Sequence, residues 1–170
     1  MQINDDTQIA VFDCLSNAQM AEDASEDLLD LLVNHQDEFD AVMTAETKGI
    51  PFGMSVAQAF GKQLVVLRKS KKGYFKDVFI AHSDTYTTAN GSTLYADAGL
   101  YDSLKGKKIL IVDDVISTGS SLEAMKSIIS QYDAELYAAA AIFAEAPASE
   151  REDIWFVEAL PVFDLNGNPK

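Results

Sequence analysis

Two periodicities take turns along the chain. Short apolar runs fall at residues 39–45, 63–67, 109–112, 136–143 and 154–157, and runs of this length rich in aliphatic residues read as strands buried on both faces. Between them apolar residues recur at helical spacing: Met20, Ala24, Leu28, Leu31 and Leu32, then Met54, Ala57 and Phe60, then Leu122, Met125, Ile128 and Ile129. Ser16 with Gln19 and Ser120 with Glu123 fit capping boxes, and Pro51 suits the first turn of a helix. Strands alternating with helices predict an α/β domain over residues 1–170, with a mostly parallel central sheet covered by helices on both faces. From 70 to 93 the pattern fails, and residues 78–81 and 93–96 are expected to form a short antiparallel excursion around a mobile tip.

The densest chemistry lies in KKILIVDDVISTGSSLEAMKSIISQ, residues 107–131. An aliphatic strand is expected to end at two carboxylates, Asp113 and Asp114, and a small-residue turn, Ser117-Thr118-Gly119-Ser120-Ser121, opens the next helix. The first backbone N–H groups of a helix lack intrahelical acceptors and sit at the positive end of its dipole, so they can hold a phosphate. Carboxylates beside them can accept hydrogen bonds from hydroxyls, and a sugar phosphate satisfies both halves.

Other readings of the stretch fit less well. A Walker B strand needs a G-x-x-x-x-G-K-[ST] partner, and the chain contains none. A receiver domain opening on ILIVDD needs more sheet than the residues after Asp114 supply. Gly53-Met54-Ser55-Val56-Ala57 has the outline of a nucleophile elbow, but a loop and Pro51 separate it from the preceding strand, and His35 and His82 are the only histidines.

Net charge is −14, which argues against a nucleic-acid binder. Its distribution says more. Residues 1–47 hold 12 acids and neither Lys nor Arg, whereas residues 48–76 hold seven basic residues and no acid: Lys48, Lys62, Arg68, Lys69, Lys71, Lys72 and Lys76. A compact polyanion such as pyrophosphate accounts for that concentration. No apolar run approaches the roughly 20 residues that span a bilayer, and the acidic start does not read as a targeting peptide. Cys14, the single cysteine, permits no internal disulfide. A cytoplasmic location is expected.

ILIVDDVISTGSS resembles the phosphoribosyl pyrophosphate (PRPP) binding motif of type I phosphoribosyltransferases. The resemblance extends over most of the chain and implies the rest of a site. Glu46-Thr47-Lys48-Gly49 matches the family's pyrophosphate loop, Arg68-Lys69 its basic pair, residues 70–93 its flexible catalytic loop, and 145–170 a small hood. It follows that Asp113 and Asp114 orient the ribose, with Lys71 and Tyr86 joining them in the catalytic set. Ser117 to Ser121 would take the 5-phosphate. Glu46, Thr47, Lys48, Gly49, Arg68, Lys69 and Lys72 would face the pyrophosphate, with Mg²⁺ carried mainly on substrate oxygens and no dedicated protein metal site. Val115, Ile116, Trp155, Phe156 and Phe163 are expected around the base, and a homodimer is the family's usual assembly.

The acceptor is narrowed by one position. Enzymes for hypoxanthine and guanine usually carry an aspartate directly before the Thr-Gly, where this chain has Ser117; Arg68-Lys69-Ser70-Lys71 is similar to the adenine enzymes. The adenine-type loop typically has a glutamate after a tyrosine, whereas Tyr86 is followed by Thr87 and Thr88. Lys48-Gly49-Ile50-Pro51 is similar to orotate enzymes, without their His-Gly-rich loop. The expectation is a purine phosphoribosyltransferase, adenine-like. Orotate or xanthine transfer stands as an alternative, as does a non-catalytic PRPP sensor, which would normally carry a DNA-binding domain.

Overall fold

The computed structural model describes residues 2, 6–83 and 92–169. Five strands form one parallel sheet in the order β3-β2-β6-β7-β8: β2 Ala41–Ala45, β3 Gln63–Leu67, β6 Lys108–Ile116, β7 Glu135–Ala144 and β8 Ile154–Ala159. The apolar runs at 39–45, 63–67, 109–112, 136–143 and 154–157 thus become its core strands. Val42, Met43, Ile109, Leu110, Ile111 and Val112 are fully buried, as strands covered on both faces require.

Side chains that alternate along each strand feed two cores. On one face α1 (Ala18–Leu32) and α2 (Gly49–Phe60) pack with Leu28, Leu32, Phe52 and Val56 against Val42, Leu110, Val112 and Ala140. On the other, α4 (Ser120–Gln131) packs with Leu122, Met125, Ile128 and Ile129 against Met43, Ile109, Ile111 and Ala141. The antiparallel hairpin of β4 (Val78–Ser83) and β5 (Ser92–Asp97) joins that second face, as residues 78–81 and 93–96 predict. Gln131 of α4 pins the hairpin: its Nε2 donates to the Ile80 carbonyl and its Oε1 accepts from the Ile80 amide. A four-residue helix, α3 (Tyr101–Leu104), leads into β6. At the chain ends β1 (Gln8–Ile9) pairs antiparallel with β9 (Val162–Phe163).

Four local expectations change. Strand β6 does not stop at the acidic pair but runs on to Ile116, because pairing with β7 continues from Asp113 through Ile116. Asn17, not Ser16, caps α1, its side chain accepting from the Met20 amide at 3.1 Å. Helix α2 begins at Gly49, two residues before Pro51, and Met54 turns outward while Phe52, Gly53 and Val56 face the sheet. Gly119, not Ser120, occupies the cap of α4, with no side-chain capping bond.

Among the described residues no helix is long and apolar enough to cross a membrane.

Candidate active site

The chain leaves β2 toward β3 on one side and continues from β6 to β7 and β8 on the other, so strand order reverses between β2 and β6. Ligands of open α/β sheets bind at such a switch point, outside the carboxyl ends of the strands. The ends of β3, β2 and β6 deliver Arg68-Lys69, Glu46-Thr47-Lys48-Gly49 and Asp113-Asp114 to this edge.

Close packing at the switch point explains Gly49. A Cβ there would lie 2.3 Å from Thr44 Oγ1 and 2.8 Å from Asp113 Oδ1, so only glycine lets α2 start this near the acidic pair. Thr44 itself is fully buried, and its hydroxyl has no hydrogen-bond partner among the described residues.

Asp113 and Asp114 are half-buried neighbours, and Asp113 Oδ1 accepts from the Asp114 amide at 3.0 Å. Burial, and then the adjacent Asp114 charge, push Asp113 well above the usual carboxylate range. Burial also raises Asp114, against the opposing pull of a hydrogen bond with Asp113 and the charge of Lys48. Two carboxyls in one partly desolvated site resist simultaneous ionisation. A cation brought beside them would relieve both.

Glu46 organises the basic pair. Its carboxylate accepts from the Lys69 amide at 2.5 Å and from Arg68 Nη1 at 3.2 Å. Burial pushes the Glu46 carboxyl up, but the Lys69 amide, Lys72 and Arg68 together outweigh it and leave the group below its ordinary value. Arg68 is fixed at its backbone too, exchanging hydrogen bonds with Tyr95 of β5 at 2.9 and 2.8 Å. Lys48 turns toward the amino-terminal segment, where Nζ donates to the Phe12 carbonyl at 2.5 Å. Lys71 is exposed, Lys72 donates to Ser70 Oγ at 3.0 Å, and Tyr86 lies outside the described residues.

Beyond β6 the chain turns through Gly119, whose φ of +82° is the left-handed region that favours glycine. Thr118 Oγ1 accepts from the Ser120 amide at 3.4 Å and donates to Ser120 Oγ at 3.3 Å. Gly119 itself offers no capping side chain, so beyond the Ser120 amide, which Thr118 Oγ1 takes at 3.4 Å, the first turn of α4 keeps anion-receptive amides. Behind the loop, the carboxyl of Glu145 is buried and raised by that burial, with a hydrogen bond to Ser117 opposing.

The residues expected around a base are not all brought together. Ile116 is in the α4-side core and Val115 is half-exposed. Trp155 packs on the α1 side against His35, ring centroids 4.3 Å apart, and Tyr137 at 5.7 Å. Phe156 faces the opposite core, and Phe163 pairs with Gln8 in the β1–β9 ribbon. The aromatics near Val115 are instead Phe143, its cross-strand partner on β7, and Phe12, whose ring meets Phe143 edge-on at 5.0 Å and Phe52 at 6.0 Å. No periodicity marks Phe12, because it arrives on an irregular segment; only its tertiary contacts reveal it.

The fold is a doubly covered parallel sheet that gathers an acidic pair, a basic pair and a glycine-started helix at one switch point. Residues 13–166 match the phosphoribosyl transferase domain family, and the chain belongs to that family. It is 31% identical over 122 residues to an adenine phosphoribosyltransferase of Thermotoga maritima, covering 72% of this chain and 66% of that protein. It is 32% identical over 121 residues to a probable purine biosynthesis transcriptional regulator of Streptococcus pneumoniae, covering 68% of this chain and 41% of the regulator. The chain thus spans less than two thirds of either relative's length. Among solved structures, adenine phosphoribosyltransferase of Thermoanaerobacter pseudethanolicus superposes with a TM-score of 0.71 at 20% identity, over 85% of this chain and 83% of that one. The Saccharomyces cerevisiae enzyme gives 0.69 at 21% identity, over 84% and 82%.

Proposed function

We propose that this chain transfers the 5-phosphoribosyl group of PRPP to a purine base, adenine-like in preference, releasing pyrophosphate. One observation carries the reading: Asp113-Asp114, Glu46-Thr47-Lys48-Gly49 and Arg68-Lys69 meet on adjoining strand ends at the switch point, with the uncapped start of α4 next in the chain. The naming of the Thermotoga relative and of the superposed structures supports adenine as the first base to try.

The residues then divide the substrate between them. Ser117, Thr118, Ser120, Ser121 and the amides from Gly119 onward bind the 5-phosphate. Asp113 and Asp114 accept from the ribose hydroxyls. Displacement of pyrophosphate by a ring nitrogen of the base builds positive charge at the anomeric carbon, and these two carboxylates lend it negative potential. Negative charge builds at the same time on the departing oxygen. Arg68 and Lys69, held by Glu46, meet it together with Lys48 and Thr47 of the neighbouring loop, and with Lys71 and Lys72 from the following segment. Tyr86, which lies outside the described residues, is assigned to the same catalytic set, and Phe12 and Phe143 flank the base beside Val115.

Two adjacent carboxylates are the oxygen donors that Mg²⁺ takes. An ion that arrives with PRPP would have Asp113 and Asp114 as its protein neighbours. When bound, such an ion neutralises phosphate charge.

The likeness to the streptococcal regulator supports a second reading, a PRPP sensor without turnover. One experiment separates them: incubate the protein with PRPP, Mg²⁺ and adenine, hypoxanthine, guanine, xanthine or orotate, and follow pyrophosphate release. Release with adenine is the expected result. PRPP binding with every base silent would establish the sensor, and consumption of orotate alone would overturn the purine assignment.

A further inference from the structure

One guanidinium beside the phosphate loop has no part in the scheme above. Arg151 follows the short 3-10 turn Ala148–Glu150, and two of its three nitrogens are spoken for. Nε donates to Asp153 Oδ1 at 2.8 Å and Nη2 to Asp153 Oδ2 at 2.7 Å. A bidentate pair of this kind fixes the plane of the guanidinium as well as its position. The hydrogen bond from Arg151, and then its charge, hold the Asp153 carboxyl down to about 2.

The third nitrogen is the informative one. Nη1 makes no hydrogen bond to any described residue, and it stands over the loop: a Cβ on Gly119 would come within 3.1 Å of it. The positive φ of Gly119 favours glycine, and the arginine above it leaves a side chain there little room. Lys126 completes the surroundings, 3.0 Å from Glu123 Oε1 and 3.6 Å from Asp153 Oδ2, with Arg151 Nη2 3.9 Å from Glu123 Oε1. These contacts draw on Nε and Nη2 and leave Nη1 facing the loop.

The loop itself supplies no formal positive charge. Its own donors are neutral amides and hydroxyls, and the buried Glu145 carboxyl lies behind it on Ser117. A phosphate monoester carries close to two negative charges at neutral pH, more than neutral donors alone balance.

We propose that Arg151 donates from Nη1 to the 5-phosphate held at the start of α4, and that Asp153 is the positioning residue that aims it. This deepens the reading of the 117–121 loop under Proposed function and rests on it. The guanidinium discriminates in favour of ligands bearing a terminal phosphate on the sugar. It does not serve the pyrophosphate end, which lies at the Arg68-Lys69 side.

Calorimetric titration of ribose 5-phosphate and of inorganic pyrophosphate into the wild-type protein, Arg151→Gln, Arg151→Lys and Asp153→Asn tests this. Loss of one charge-assisted hydrogen bond predicts a Kd for ribose 5-phosphate raised about 10–100-fold in Arg151→Gln, less in Arg151→Lys and Asp153→Asn, with pyrophosphate affinity unchanged in all three. An unchanged Kd for ribose 5-phosphate in Arg151→Gln overturns the inference and leaves the loop reading intact. Equal weakening toward both ligands also overturns it, since that marks a merely structural role. A wild-type protein that binds pyrophosphate but not ribose 5-phosphate brings down the loop reading itself.

Discussion

Gly49 sits so close to Thr44 that a Cβ on it would fall 2.3 Å from the threonine hydroxyl. The same Cβ would come within 2.8 Å of Asp113 Oδ1, so one missing side chain seats a helix start, a buried strand and an acidic pair together. Backbone and a fully buried threonine give little room for a shift. Gly49→Ala is expected to cost about 1–3 kcal/mol through overpacking. Adding Thr44→Ala should recover part of that loss and not all, because Asp113 remains in the way. Urea denaturation of both single variants and the double variant measures the coupling, and strictly additive effects would contradict this packing.

In the proposed site, Asp113 and Asp114 are expected to set stability against activity. Burial and mutual repulsion raise the Asp113 pKa in the fold, so the folded state holds that proton more tightly than the unfolded chain. The resulting stabilisation is complete below the ordinary aspartate pKa and is lost as pH rises through the raised one. Asp113→Asn keeps an acceptor for the Asp114 amide and removes the charge. It is expected to gain on the order of 0.5–2 kcal/mol near neutral pH, a gain that shrinks as the solution is made acid. Pyrophosphate release should fall by about 100-fold or more with the loss of a charge aimed at the reacting sugar. Thermal melts across pH beside the turnover assay give both readings, and a variant less stable than wild type at neutral pH would refute the linkage.

Glu46 has the opposite sign. Its folded pKa is lowered, with the Lys69 amide, Lys72 and Arg68 together outweighing the burial that opposes them. Its stabilisation is present above the ordinary glutamate pKa and disappears as pH falls through the lowered one. Glu46→Gln is expected to lose about 1–3 kcal/mol at neutral pH, with the deficit closing in acid. Because Arg68 and Lys69 lose the group that aims them, KM for PRPP should rise more than kcat falls. A KM that stays at the wild-type value would show the basic pair to be held by its Tyr95 backbone bonds alone.

The parallel sheet was legible because strands buried on both faces need uninterrupted apolar runs, and the segments at 109–112 and 63–67 admit hardly any other fate. The acidic pair and the Thr-Gly loop were legible for a related reason: carboxylates and glycine at a strand end are unfavourable without a job to do. What the sequence withheld depends on contacts distant in the chain. Nothing local distinguishes Asn17 from Ser16 as a cap, or tells that β6 keeps pairing with β7 beyond Asp114. Arg151 and Glu145 lie in the stretch that the resemblance assigns to the hood, and the fold alone sets them beside Gly119 and Ser117. The resemblance implies Trp155 beside the base, while its register on β8 sets it opposite Ala140, near the start of that strand and against His35 and Tyr137.

That displacement supplies the last prediction. Trp155 is the single tryptophan of the chain, and its ring packs at a tilt against His35 and meets Tyr137 edge-on, whereas Phe12 reaches Phe143 beside Val115. Fluorescence of Trp155 should therefore be unmoved by saturating base, and Trp155→Phe should lower stability by about 1–3 kcal/mol while leaving the KM for the base as it was. Phe12→Ala should do the reverse in kinetics. Removing an aromatic proposed to flank the base is expected to raise its KM about 5–30-fold, the equivalent of about 1–2 kcal/mol of lost contact, with KM for PRPP changed far less. The Lys48 ammonium bonds to the backbone carbonyl of Phe12 and not to its ring, so that tether survives the substitution and the amino-terminal segment stays in place. If base instead quenches Trp155, and Phe12→Ala binds base normally, the pocket lies on the β8 side of the sheet as the sequence first implied.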